Sequence, residues 1–228
     1  ACHQTLERLQ VDYLDLYFCH RPDLNTPIVE TVAAMTDLVR QGKILYWGTS
    51  EWTARDIALA HAAAARDKLV APVMEQPHYN LFPRDRFEVD YSRLYKEVGL
   101  GTTVWSPLSR GELVAHYLEE KGGKLEVSKQ GIAWLKGAGL PAGYEARVKK
   151  VVKFASLARE LEITPARLAL AWVLKNSNVT TAILGASNAN HLKENLKAVG
   201  DASLLTNEVM ERIESIFETI PMPEETFC

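Results

Sequence analysis

Residues 13–23, YLDLYFCHRPD, decide how this chain is read. Tyr13 to Cys19 is an apolar run that reads as a buried strand, and it stops abruptly at His20, Arg21, Pro22 and Asp23. Parallel α/β enzymes present catalytic groups in this way, from the C-terminal end of a buried strand into a pocket. A lone strand-end histidine is more often a hydrogen-bonded structural residue than a catalyst. The remainder of the chain therefore has to decide what His20 does.

Working outward, short apolar runs alternate with longer amphipathic segments. The spacing of Ile28, Val32, Met35, Leu38 and Val39 predicts a helix over 27–40, with Thr26 as N-cap and Pro27 in the first helical position. Ile44 to Gly48 reads as the second strand, followed from Thr53 by an alanine-rich helix to Arg66 whose His61 reads as solvated. Ala71 to Glu75, Gly101 to Trp105 and Val179 to Leu184 read as three more strands, with a helix over 90–98 between the first two and one over 188–199 after the last. Further helices are predicted over 145–161, over 165–176 with Thr164 as cap, and over 206–220. Residues 119–143, rich in glycine at 122, 123, 131, 137, 139 and 143, read as a long loop over one face. Repeated strand-helix units suit a (β/α) barrel or a doubly wound sheet. Five strands are counted where a closed barrel needs eight, so either the sheet is open or the first units precede Ala1. The start at Ala1, running at once into Leu6, Leu9 and Val11, reads as a cut.

Composition narrows the classes. The 228 residues carry 26 basic and 29 acidic side chains, a net charge of -3, which offers no field to gather nucleic acid or anionic membrane. Cys2, Cys19 and Cys228 are too few and too scattered for a disulfide framework and fit a reducing, cytoplasmic setting, with Cys19 acting as a small hydrophobe. No apolar run reaches the length of a membrane span, and no secretory signal is present at residue 1. His-Glu-x-x-His, Cys-x-x-Cys, Gly-x-Ser-x-Gly and Walker motifs are absent, and His78, His116 and His191 stand singly, so no metal site is predicted.

The residues that follow each strand are polar or aromatic: His20 to Asp23, Thr49 to Trp52, Gln76 to Asn80, Ser106 to Gly111, and Gly185 to Asn188. Helix caps account for some of them. Glu75-Gln76 and Trp105-Ser106 are costly as mere caps and read as pocket lining, with donors and acceptors for an amide and a face for a planar ring. Leu184 to Ala189 places a glycine, a serine and an asparagine at a helix N-terminus, an anion-binding arrangement. An ordinary N-cap after a tight turn reads equally well there.

Five segments, LERLQVDYLDLYFCHRPD, GKILYWGTSEW, EQPHYNLF, TVWSPLSRGEL and ILGASNANHLKENL, together resemble the aldo-keto reductase family. Within it they resemble the branch that includes the beta subunits of voltage-gated potassium channels and related fungal and bacterial reductases. The resemblance implies a (β/α)8 TIM barrel of which only the last five strand-helix units are present, and a single domain over 1–228 lacking its N-terminal third. It implies an NADP-dependent oxidoreductase that transfers a hydride from NADPH to an aldehyde or ketone. His20 would be the catalytic histidine that polarises the small-molecule carbonyl substrate, and the family's catalytic aspartate, tyrosine and lysine would lie before residue 1. Ser50 and Gln76 would hold the nicotinamide carboxamide and Trp105 would stack on the ring. Ser106, Pro107, Leu108 and Gly111 would cross the pyrophosphate. Gly185, Ser187, His191, Glu194 and Asn195 would hold the adenosine end. Glu51 and His191 stand where channel beta subunits carry arginine and glutamine. The alternative from the same resemblance is an NADPH-binding regulatory subunit with little turnover, assembled as a homo-oligomer or with a channel-type partner.

Overall fold

The computed structural model describes residues 1–137 and 143–222; Gly139, Cys228 and the 138–142 part of the expected loop lie outside the described residues. The chain forms an α/β fold with a parallel sheet, and it divides into two compact units, Ala1–His78 with Asp85–Val104, and Tyr79–Arg84 with the chain from Trp105 onward.

The first unit runs α1 (Cys2–Leu9), β1 (Leu14–Cys19), α2 (Ile28–Arg40), β2 (Ile44–Ser50), α3 (Ala54–Asp67), β3 (Met74–Gln76), α4 (Ser92–Glu97) and β4 (Gly101–Val104). A π-type turn, Arg86–Asp90, precedes α4, which lies within the helix expected over 90–98. The four strands are parallel and ordered as in the sequence, with Leu14 opposite Ile44, Cys19 opposite Thr49, Gly48 opposite Met74, and Glu75 opposite Thr102. Val32 and Met35 of α2, Trp47 of β2, and Ile57, Ala60 and Ala64 of α3 form the buried cluster. Ala60 and Ala64 bring α3 into the same buried cluster as α2 and β2. The Trp47 indole N–H donates to the Val70 carbonyl at 3.0 Å, satisfying its one polar atom inside apolar packing.

Three expectations are corrected here. First, β1 is half-exposed rather than buried: it is the end strand of the sheet, and Leu14, Tyr17 and Cys19 pack on the cluster while Leu16 and its cross-strand neighbour Tyr46 remain 45% and 55% exposed. Second, Thr26 does not cap α2; its hydroxyl donates to Asp23 at 2.8 Å, and Pro27 occupies the cap position without a side-chain bond. Asp23 also accepts from the Asn25 amide, so a local turn has taken up the hydroxyl. Third, the His61 ring is half-buried, and burial lowers its proton affinity. Thr53 does cap α3, accepting from the Asp56 amide at 3.1 Å.

The second unit contains β5 (Leu118–Lys121), β6 (Lys124–Val127), α5 (Lys129–Gly137), α6 (Tyr144–Glu160), α7 (Pro165–Lys175), β7 (Thr181–Ala182), α8 (Ala189–Leu196), α9 (Ala198–Asp201) and α10 (Asn207–Phe217). The described part of 119–143 is therefore not a loop. Gly122 and Gly123, at φ +56° and +81°, form the two-residue turn of an antiparallel hairpin, and a helix follows. The core lies on α7, where Leu168 to Val173 are all buried, flanked by Phe154 of α6 and Phe217 of α10 in edge-to-face contact at 5.3 Å. Among the described residues no helix is long and apolar enough to cross a membrane.

The pairing of β2 with β3 rests on Gly48, where an added Cβ would lie 2.5 Å from both the side chain and the carbonyl oxygen of Met74. Gly48→Ala is expected to destabilise the first unit by about 1–3 kcal/mol through overpacking, read as a lower urea midpoint. An unchanged midpoint would show that the two strands can separate without cost.

Candidate functional site

In the first unit the parallel register delivers side chains to one end of the sheet. His20 follows β1 directly and is exposed. Arg21 donates to the His20 carbonyl and, at 3.2 Å, to Ser50 Oγ. Ser50 closes β2 opposite Gln76 and donates to the Gln76 carbonyl at 2.9 Å. Hydrogen bonds thus join the backbone carbonyls of His20 and Gln76 and the Ser50 hydroxyl, with Arg21 as the bridge that sequence reasoning left without a role.

Beneath this group lies Glu75, fully buried and paired with Thr49, whose hydroxyl donates to its carboxylate. Burial pushes this carboxyl from the ordinary 4.5 up to about 7, against the opposing pull of the Thr49 hydroxyl and the Glu51 and Trp52 amides. Tyr91 donates to the Trp52 carbonyl at 2.6 Å and pins the same turn. The nearby Cys19 thiol is also raised by burial, to about 11, and stays protonated as a small apolar group.

In the second unit Trp105 leads into a tight loop. Ser106, Ser109, Arg110 and Ala115 all have φ between +49° and +59°, and Gly111 has φ +92°, a value that favours glycine. So many left-handed residues hold only where neighbours force them. Asn80 Nδ2 donates to the Ser106 carbonyl at 2.9 Å, Ser106 Oγ accepts from the Arg110 amide at 3.2 Å, and the Gly111 amide donates to the Leu108 carbonyl at 3.0 Å. Pro107 sits inside this turn, where the absence of an N–H leaves no donor unsatisfied. Below it, Glu112 is fully buried and meets Arg147 at 2.6 Å. Arg147 also donates to Ser109 Oγ at 3.0 Å and lies 3.6 Å over the Phe82 ring. Burial raises the Glu112 carboxyl, and the Arg147 guanidinium opposes that rise. The Glu112–Arg147 pair had no local signal, since its members come from a loop and from α6.

At α8 the cap is Asn188, which accepts from the His191 amide at 2.9 Å, while Ser187 Oγ lies 3.0 Å from His191 Nδ1. Glu194 is paired with Lys197 at 2.8 Å and with Arg167 at 3.5 Å, and Arg167 is held by both oxygens of Asp201. Asn195 is buried. A Cβ placed on Gly185 would meet no atom within 4 Å. Of the expected adenosine-end residues, Ser187 with His191 form one contact and Glu194 another. Among the described residues no cluster of three or more His, Cys, Asp or Glu side chains could hold a metal ion.

The chain belongs to the aldo/keto reductase family, whose sequence model matches residues 1–218. Two proteins, from Oryza sativa subsp. japonica and Arabidopsis thaliana, each named "probable voltage-gated potassium channel subunit beta", are each 40% identical to it over 223 residues. Each alignment covers 98% of this chain and 67% of the relative. A protein of similar designation from Schizosaccharomyces pombe is 41% identical over 220 residues, 96% of this chain and 63% of its own length. The chain thus spans about two thirds of the length of these relatives.

Because the folded value of Glu75 lies above its ordinary one, the folded state binds that proton more tightly than the unfolded state. Stability is therefore expected to be highest below about pH 4.5 as far as this group is concerned, to fall as pH rises toward about 7, and to level off above, a loss of roughly 3 kcal/mol. Glu75→Gln should flatten that part of the profile and stabilise the protein at pH 8. Parallel wild-type and variant profiles from urea titrations at several pH values would show that the carboxyl is not responsible.

Proposed function

We propose that this chain is part of an NADP-dependent oxidoreductase, with His20 as the catalytic histidine for reduction of an aldehyde or ketone carbonyl. The observation that carries the proposal is the strand-end group of His20, Arg21, Ser50 and Gln76, found in a chain of this family. NADPH, when bound, supplies the hydride that reaches the carbonyl carbon. The exposed His20 ring would donate a hydrogen bond to the carbonyl oxygen, acting on the negative charge as it develops, and that oxygen would take up its proton from the catalytic tyrosine that the family resemblance implies. Gln76 and Ser50 hold the nicotinamide carboxamide, Gln76 offering one amide to another.

The second unit's residues suit the remaining parts of the same cofactor. Trp105 presents a ring face, and Ser106, Pro107, Leu108 and Gly111 form the loop for the pyrophosphate. Gly185 leaves space that no atom of the chain requires. Ser187, His191, Glu194 and Asn195 serve the adenosine end. The single-domain organisation over 1–228, a cytoplasmic location, and a barrel of which this chain supplies five strand-helix units belong to this proposal.

The names of the relatives favour a second reading, an NADPH-binding regulatory beta subunit, working as a homo-oligomer or with a channel-type partner and turning over little. A steady-state assay of the intact parent protein with NADPH and a panel of aldehydes separates the two. Turnover supports the reductase; tight NADPH binding without turnover supports the regulatory subunit. On the first reading His20→Ala lowers turnover by about a hundredfold or more while leaving NADPH affinity nearly unchanged. Equal turnover in the variant would make His20 structural.

A further inference from the structure

We propose that Glu51 is a positioning residue whose carboxylate ties the turn after β2 to the chain leaving β3, fixing Ser50 beside Gln76 before any ligand arrives. This inference rests on the nicotinamide role proposed above for Ser50 and Gln76. Its starting observation is backbone strain: Glu51 sits at φ +59°, in the left-handed region, at the point where β2 has ended and the chain turns toward α3. A residue with a side chain stays in that region only if its surroundings hold it, and such residues concentrate at ligand clamps.

The hold is visible on both sides of the residue. Glu51 Oε1 accepts from the His78 amide at 2.7 Å. Oε2 meets Arg86 at 2.7 Å, and the same guanidinium nitrogen reaches the Glu51 carbonyl at 3.4 Å. Arg86 thus braces the side chain and the strained backbone together. His78 is separated from Gln76 only by Pro77, whose ring fixes φ, so a hold on the His78 amide is transmitted to Gln76 through a stiff link. Ser50, on the other side of Glu51, donates to the Gln76 carbonyl. Ser50, Glu51, His78, Pro77 and Gln76 close a ring of bonds around the end of the β2–β3 pair.

An ordinary partly exposed ion pair would also place Glu51 beside Arg86, and would add little to stability. The two roles differ in what they move. A clamp changes local order and ligand affinity, whereas a bare ion pair changes neither.

Glu51→Gly and Glu51→Gln separate carboxylate from backbone, because glycine removes the strain and the clamp together while glutamine retains an oxygen for the His78 amide. Two measurements are made on each: amide hydrogen exchange across 49–52 and 76–78 without ligand, and NADPH titration. Glu51→Gly is expected to speed exchange in these segments and to weaken NADPH affinity by about tenfold, with a smaller loss for Glu51→Gln. Wild-type exchange in Glu51→Gly overturns the clamp; faster exchange with unchanged affinity overturns its positioning role. If Glu51→Gly fails to fold, Arg86→Met carries the same test from the partner side. A wild-type protein that does not bind NADPH overturns the function proposed above, and is told apart from failure of the clamp by the exchange measurement, which needs no ligand.

Discussion

The parallel pairing of β2 with β3 is the constraint on which the first unit depends. Strand side chains alternate between faces, so a slip of one residue would exchange Thr49 with Ser50 against their partners and turn each to the wrong side. The observed register places Thr49 against Glu75 and Ser50 against Gln76. The first contact satisfies a buried carboxyl; the second assembles polar groups at the strand end. Both depend on the close approach at Gly48, directly before Thr49, where no side chain could stand. Trp47, on the other face, commits the same strand to the helix layer through its packing and its bond to Val70.

The second unit solves a different problem. Its loop after Trp105 carries left-handed residues in close succession, a conformation with no favourable propensity of its own. What holds it is burial of charge: Glu112 and Arg147 share one contact, and Ser109 is drawn onto the guanidinium. A buried pair of this kind adds little net stability beside an apolar replacement, but removing one partner strands the other. Its contribution is to make one loop conformation far better than the alternatives.

Apolar runs and helical spacing located β1 to β4, β7 and most helices, because an apolar face must be buried whatever the details of the fold, and they placed His20, Ser50 and Gln76 at strand ends. They failed where the deciding partner is distant or local geometry competes. The composition of β1 reads as buried, yet an end strand packs only the side chains that meet the cluster, and Leu16 does not. Thr26 reads as a cap, yet Asp23 claimed its hydroxyl first. Glycines at 122 and 123 read as a loop because composition does not distinguish a disordered connection from a tight turn between two strands. Arg147 was invisible because nothing within 30 residues of it in sequence announces Ser109.

Gly48 and Gly185 differ in what the fold demands of a glycine. At Gly48 the protein's own atoms forbid a side chain, so any change there is felt by the fold whether or not a ligand is ever present. At Gly185 the space is open and the backbone is not in the left-handed region, so the chain itself is indifferent to a methyl group. Two glycines that look alike in sequence therefore stand under different constraints: strand pairing itself requires the first, and the chain's own packing places no such demand on the second.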